Sequence, residues 1–246
     1  MMTKIIAHRG SAGKDSNENT IESFKDAIRL GVDMVEFDVR KTLDNVLIVT
    51  HDPTIDGKTV ATLTDTEICA GDEARGYHIP TFKDVIKICH NRVFMDIELK
   101  EHGYEKYVLH QLRKYSNRFE YSIKGFDDIV SYTVKRIDPM IKTGLLIGRR
   151  ENDVKRRFNE IFPQLRMRQC KADFISPYYG FIYVGYLRRL HKLGYPVYVW
   201  TVNKPKAIKQ MLKLGVDGII TDRPDIAMEL RKEYEEKNSK LHFLYR

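Results

Sequence analysis

Ile5-Ile6-Ala7-His8-Arg9-Gly10, Val35-Glu36-Phe37-Asp38-Val39, Val46-Leu47-Ile48-Val49-Thr50-His51-Asp52 and Phe94-Met95-Asp96-Ile97-Glu98-Leu99-Lys100 are short runs of strand formers with ionisable groups set into them or closing them. In a strand, residues i and i+2 point to one face. Glu36 therefore shares a face with Asp38, and Glu98 with Lys100. The apolar partners Val35, Phe37 and Val39 fall on the other face. A run that is apolar on one side and carries acids on the other has something to bury and something to present.

Working outward, strand-like and helix-like segments alternate along nearly all of the chain. Asn19-Thr20 opens a helical pattern in which Ile21, Phe24, Ala27, Ile28 and Leu30 fall near one face, and Gly31 stops it. Pro80 starts a helix through Ile88. Helices follow around 104–115, 127–136, 153–165, 183–193 and 205–214, and a closing helix from Asp225 frays near Lys237. Further strands are expected at 121–124, 143–147, 174–177, 197–202 and 218–222. Residues 52–77 are the least regular, with a short helix near 65–69. The link from Arg40 to Asn45 is too short for a helix and contains Asp44-Asn45, so 35–39 and 46–50 form a hairpin-like excursion.

That makes nine strand candidates for an eight-stranded cycle, with the hairpin as the surplus. Repeated β-α order implies parallel strands covered by helices. A chain of 246 residues suits a distorted TIM (β/α)8 barrel, a fold of about 250 residues. The alternative is an open doubly wound sheet. The barrel is favoured because His8, Asp38, His51, Lys100, Asn203 and Asp222 lie at strand ends spread over the whole chain. A barrel gathers all of its strand ends on one face, whereas an open sheet gathers only those near its switch point. No linker divides the chain, so residues 1–246 read as a single domain.

With 42% hydrophobic and 31% charged residues the chain is an ordinary globular one. No apolar run is long enough to span a bilayer. Strand-like Ile5-Ile6 begins too early for a signal peptide, so a cytoplasmic location is expected. Cys69, Cys89 and Cys170 are odd in number and widely spaced, which points to reduced thiols rather than a disulfide framework or zinc site. Net charge is +8, with much of the excess in Arg149, Arg150, Lys155, Arg156, Arg157, Arg166, Arg168 and Lys171. The simplest reading is a solvated helix face with Glu160 among its counter-charges. A basic face also attracts anions, which makes weak contact with an anionic membrane surface a candidate. No zinc-finger or RNA-recognition signature points to nucleic acid.

Two histidines, several carboxylates and two cations at strand ends suggest a metal-assisted acid/base site for an anionic ester. Seven motifs in order carry a closer resemblance: His8-Arg9-Gly10, Glu18-Asn19-Thr20, Glu36-x-Asp38, His51-Asp52, Glu98-x-Lys100, Trp200-Thr201-Val202-Asn203 and Gly215 through Pro224. Together they resemble the glycerophosphodiester phosphodiesterase family over residues 5 to about 227. The resemblance implies a distorted TIM barrel and a divalent cation, Mg2+ or Ca2+. It implies hydrolysis of glycerophosphodiesters to glycerol phosphate and an alcohol, through a cyclic phosphate that water then opens. It makes His8 and His51 the acid/base pair and Glu36, Asp38 and Glu98 the metal ligands. Arg9 and Lys100 would bind phosphate oxygens, and Trp200 would wall the substrate pocket.

The chemistry is consistent with that implication. Hard divalent ions prefer several oxygen ligands, fixed cations offset the charge that grows on an attacked phosphate, and imidazoles titrate near neutrality. Three departures stand out. Asn17 replaces a proline, Pro53 to Thr59 contains no arginine, and Gly125-Phe126 replaces Ser-Phe, so that a polar contact near the site is expected to be lost. Two alternatives differ in kind from a soluble-diester hydrolase. One is lysophospholipase D-type activity on lipids; the other is a catalytically silent anion- or membrane-binding module using the basic stretch.

Overall fold

In the computed structural model, which describes residues 2–10, 17–148, 160 and 162–244 with side chains through 239, eight parallel strands form the barrel. They are β1 (Lys4–His8), β2 (Met34–Lys41), β6 (Phe94–Leu99), β7 (Tyr121–Gly125), β8 (Lys142–Ile147), β9 (Phe174–Pro177), β10 (Tyr198–Val199) and β11 (Gly218–Thr221). Their order is β10-β11-β1-β2-β6-β7-β8-β9. Parallel bridges Ile175↔Val197 and Tyr178↔Trp200 close the ring between β9 and β10. The barrel is distorted at that seam, where the strand expected over 197–202 is only two residues long.

The surplus strand is the expected hairpin. β3 (Leu47–Val49) runs antiparallel to β2, pairing Val39↔Val49 and Lys41↔Leu47. Thr42 holds the turn, accepting from Val46 N at 2.9 Å through its hydroxyl. Beyond it, β4 (Thr54–Ile55), β5 (Lys58–Thr59) and helices Asp65–Cys69 and Asp72–Arg75 build a small cap over Ile48, Ile55, Val60, Leu63, Ile68 and Ile79.

Alternation decides which side chains face the lumen. In β2, Val35, Phe37 and Val39 join the apolar layer under the outer helices, as do Met95, Ile97 and Leu99 of β6. The opposite face supplies Met34, which packs with Ile6 and Ile220, and with Phe94, Tyr198 and Trp200 against them, as an apolar floor of the lumen. Above this floor the lumen-facing residues turn polar. Register aligns His8↔Glu36↔Asp96↔Ser122, and one row higher Asp38↔Glu98↔Lys124.

The first helix starts and stops as its sequence predicts. Thr20 caps Ile21–Leu30 in a reciprocal box with Ser23, and Gly31 ends it at φ 75. The proline-started helix begins slightly later than expected, at Phe82, because Thr81 caps it. Correction is needed in the basic region. The helix expected over 153–165 lies mostly outside the described residues, and a further helix runs Gln164–Cys170. Arg149, Arg150, Lys155, Arg156 and Arg157 lie outside the described residues. Glu160 is buried rather than part of a solvated face, and its carboxylate accepts from Gly148 N at 3.3 Å. Arg166 instead pairs with Asp128 at 2.7 Å. All three cysteines are free thiols. Among the described residues no helix is long and apolar enough to cross a membrane.

Candidate active site

The C-terminal ends of β1, β2, β6 and β7 meet beside the loop after β3. His8, Arg9, Glu36, His51, Glu98, Lys100, Lys124, Phe126, Leu146, Trp200, Thr201 and Ile220 line one cavity there of about 200 Å3. Asp38 does not line it but sits against two residues that do, with Arg9 Nε 3.2 Å and Lys100 Nζ 3.1 Å from its two oxygens. Carboxylate oxygens of Glu36, Asp38 and Glu98 come within 4.8 Å of one another, and all three side chains are buried. All eight residues singled out from the sequence are therefore brought together.

Their electrostatics differ. Burial opposes charge on Asp38, but Lys100, Arg9 and a 3.0 Å hydrogen bond from Asn19 hold its carboxyl well below the usual range. Burial pushes Glu98 up, reinforced by Asp38 and Glu36 and opposed by Lys100 at 2.7 Å. Burial disfavours charge on Lys100, yet Glu98 and Asp38 raise its pKa. Three carboxylates that would repel one another are thus interleaved with cations.

The two histidines are held differently. His8 Nδ1 lies 2.5 Å from Asp222 Oδ1, and its Nε2 3.9 Å from Glu36. Burial works against its protonation, but Asp222 and Glu36 outweigh it and raise the pKa above 6.5. Asn203 fixes Asp222 from behind by donating to it at 2.5 Å while accepting its backbone N–H. His51 is more exposed; its Nδ1 pairs with Asp52 at 2.8 Å. Arg40 grips the His51 carbonyl through two donors, at 2.7 and 3.0 Å. Both histidines use Nδ1 on a carboxylate, the arrangement that fixes an imidazole's orientation.

Arg9 is placed by its backbone. It adopts φ 52, an uncommon left-handed conformation, and is followed by Gly10 at φ 83. A Cβ on Gly10 would lie 2.3 Å from Ser23 Oγ, so the loop packs directly on the N-terminus of the first helix. Its guanidinium spans Glu18 and Asp38. Trp200 donates from Nε1 to the Ser176 carbonyl at 2.7 Å, and Phe126 and Tyr178 meet it edge-on. It is a fixed wall of the cavity.

Sequence reading missed Lys124 and Asp96, and left Asp222 and Asn203 without a task. Lys124 is fully buried; its Nζ lies 2.6 Å from Asp96 and 3.4 Å from Glu36. Burial disfavours its charge, but Asp96 and Glu36 hold it protonated. A signal was present, since Asp96 shares the two-residue phase of Glu98 and Lys100. At Gly125, a Cβ would press on the Leu99 carbonyl at 3.2 Å and Val130 at 3.3 Å. Glycine suits that crowded turn, and the following Phe126 joins the cavity wall.

A sequence profile of the glycerophosphoryl diester phosphodiesterase family matches residues 8–226, from the first of these histidines past Asp222. This chain belongs to that family. It is accordingly a phosphodiesterase, and the TIM barrel is its family's fold. A glycerophosphodiester phosphodiesterase of Caldanaerobacter subterraneus subsp. tengcongensis is 32% identical over 94% of this chain and 98% of its own. One from Bacillus altitudinis is 30% identical over 94% and 99%. The crystal structure of a Parabacteroides distasonis glycerophosphodiester phosphodiesterase superposes with a TM-score of 0.82 at 25% identity, covering 95% of this chain and 98% of its own.

Proposed function

We propose that this phosphodiesterase hydrolyses glycerophosphodiesters to glycerol phosphate and an alcohol, with His8 and His51 sharing proton transfer. The carrying observation is that both imidazoles and the cations Arg9 and Lys100 border the same cavity as the buried carboxylates Glu36 and Glu98, with the buried Asp38 clustered beside them. Glu36, Asp38 and Glu98 fit a divalent cation, Mg2+ or Ca2+, because the donors are all oxygens and no thiol or imidazole stands among the three. Such an ion would supply positive charge to the phosphate oxygens.

The chain's own residues account for the remaining steps. Arg9 and Lys100 neutralise the diester and the further charge it gains on attack. One imidazole removes a proton from the attacking hydroxyl while the other protonates the departing alcohol oxygen; they exchange roles when water completes hydrolysis. Asp222 and Asp52 keep each ring oriented through Nδ1. Trp200 and Phe126 supply an apolar wall that excludes water from part of the cavity. The free thiols support a reducing, cytoplasmic setting.

A turnover screen over several headgroups, each with Mg2+, Ca2+ or chelator, tests the reading. Release of glycerol phosphate that needs a divalent ion and is lost in His8→Ala and His51→Ala is expected. Vesicle binding without turnover of any diester would instead favour the silent binding module.

A further inference from the structure

The cap beyond the hairpin brings together a second group of metal-ligating side chains. Ligand atoms of Cys69, Asp72 and His78 lie within 4.8 Å of one another. Cys69 ends one short helix, Asp72 begins the next, and His78 follows the left-handed Gly76 that stops it. The outer two ligands adjoin buried residues of the cap's small core, Cys69 beside Ile68 and His78 beside Ile79. No role in the chemistry above uses these side chains.

The donor set differs from the one in the barrel. One sulfur, one imidazole nitrogen and one carboxylate oxygen suit a borderline ion such as Zn2+, whereas Mg2+ and Ca2+ take oxygen. A tetrahedral Zn2+ holds such atoms about 3–4 Å apart, so the three need only close in slightly. Cys69 is partly exposed and His78 about half exposed, so these side chains have room to move and water can supply a fourth ligand. Asp72 Oδ2 faces His78 Nδ1 at 2.6 Å, while Arg75 takes Asp72 Oδ1 at 2.5 Å. An ion entering on the Oδ2 side leaves the Arg75 pair in place. Arg75 is shared with Asp56, and Asp65 lies near enough to act on both the thiol and the imidazole. Those carboxylates favour a cation. The sequence concealed the set, because Asp72 stands where a Cys-x-x-Cys pair would have its second cysteine.

The cap has reason to need fastening. Its two helices have five and four residues, too few to hold their shape alone, and units with small cores are commonly stapled by a metal. The segment also reaches the catalytic loop. Just past His78, the Pro80 carbonyl accepts from Val49 N at 2.9 Å and Thr81 bridges Ile48, in the strand that leads to His51. We infer that Cys69, Asp72 and His78 form a Zn2+-class structural site that fastens the cap, separate from the three carboxylates in the barrel. On binding, the sulfur–hydrogen bond gives way to a sulfur–metal bond and the proton passes to solvent.

The test uses the full chain, reduced, stripped of metal and then held in excess Mg2+ to fill the oxygen site. Co2+ is titrated in as a spectroscopic stand-in for Zn2+. A thiolate-to-cobalt charge-transfer band should appear in the near ultraviolet and saturate at about one equivalent, the count for a single site. Zn2+ should abolish it. An oxygen-only site gives no such band. Cys69→Ser should remove the band, and His78→Ala should raise the Co2+ dissociation constant about tenfold or more. In the wild-type chain Zn2+ should slow amide hydrogen exchange across 63–79 and leave the barrel strands unchanged. Absence of the band at millimolar Co2+ overturns the inference, as does a band that survives in Cys69→Ser. Exchange across 63–79 that Zn2+ does not slow overturns the fastening role.

Discussion

At the scale of single residues, His8 depends on its neighbour. Its folded pKa is raised, so the stability it contributes is fully present below the ordinary value of 6.5 and is lost as pH rises through the higher folded value. Asp222, held low by His8 against its own burial, contributes in the opposite sense and loses its share as pH falls through its depressed pKa. Asp222→Asn should therefore lower the His8 pKa, seen by NMR titration of the imidazole. It should also shift the His8 limb of the rate profile to lower pH; an unmoved limb would remove Asp222 from this role. Wild-type activity should show a bell-shaped profile, with two histidines in opposite protonation states. Replacing His8 or His51 by Ala should cost about 10²-fold or more in kcat with much less change in metal affinity. Near-normal turnover in either variant would sink the assignment.

At the scale of elements, the legible part of the site was what strand alternation dictates. Glu36-x-Asp38 and Glu98-x-Lys100 could be placed on shared faces from spacing alone, and the register then sets Asp38 opposite Glu98. Lys124 was not legible, because Tyr121-Ser122-Ile123-Lys124 reads equally well as a strand with a solvated lysine. Parallel pairing of β7 on β6 puts Lys124 beside Glu98 in the same row, where it is fully buried against Asp96 and Glu36. Helix limits were readable where caps are local, as at Thr20 and Gly31. β10 was overestimated, because apolar Val197 to Val202 continues past the point where ladder pairing ends. Lys124→Gln leaves buried carboxylates short of their cation, and breaking such a pair costs about 3–5 kcal/mol. A denaturant melt without metal should show a loss of that order, and added Mg2+ should restore part of it. An unchanged melt would mean that Lys124 does not support the row.

At the scale of the whole molecule, charge is organised in two places. One is the basic stretch, which the sequence leads us to expect to set surface potential rather than to take part in catalysis. Neutralising Arg149, Arg150, Arg156 and Arg157 together should weaken vesicle binding in a salt-dependent way and hardly alter hydrolysis of a soluble diester. A large fall in kcat would show that this stretch reaches the active site. The other place is the barrel mouth. Glu36, Asp38 and Glu98 converge there, yet Arg9, Lys100 and Lys124 stand among them. Repulsion between the carboxylates is offset by these cations, so the barrel should fold without a divalent ion. The same cations compete with that ion for the carboxylates, which favours modest affinity. A ligand that binds only the native state still stabilises it, by about 2.7 kcal/mol at a concentration of 100 Kd. Chelation should therefore abolish turnover, lower Tm by a few degrees and leave the circular dichroism spectrum native. Mg2+ or Ca2+ should restore both activity and Tm, and Asp38→Asn should weaken the restoring effect without unfolding the chain. Full activity in protein shown by elemental analysis to be metal-free would refute the three-carboxylate ion site.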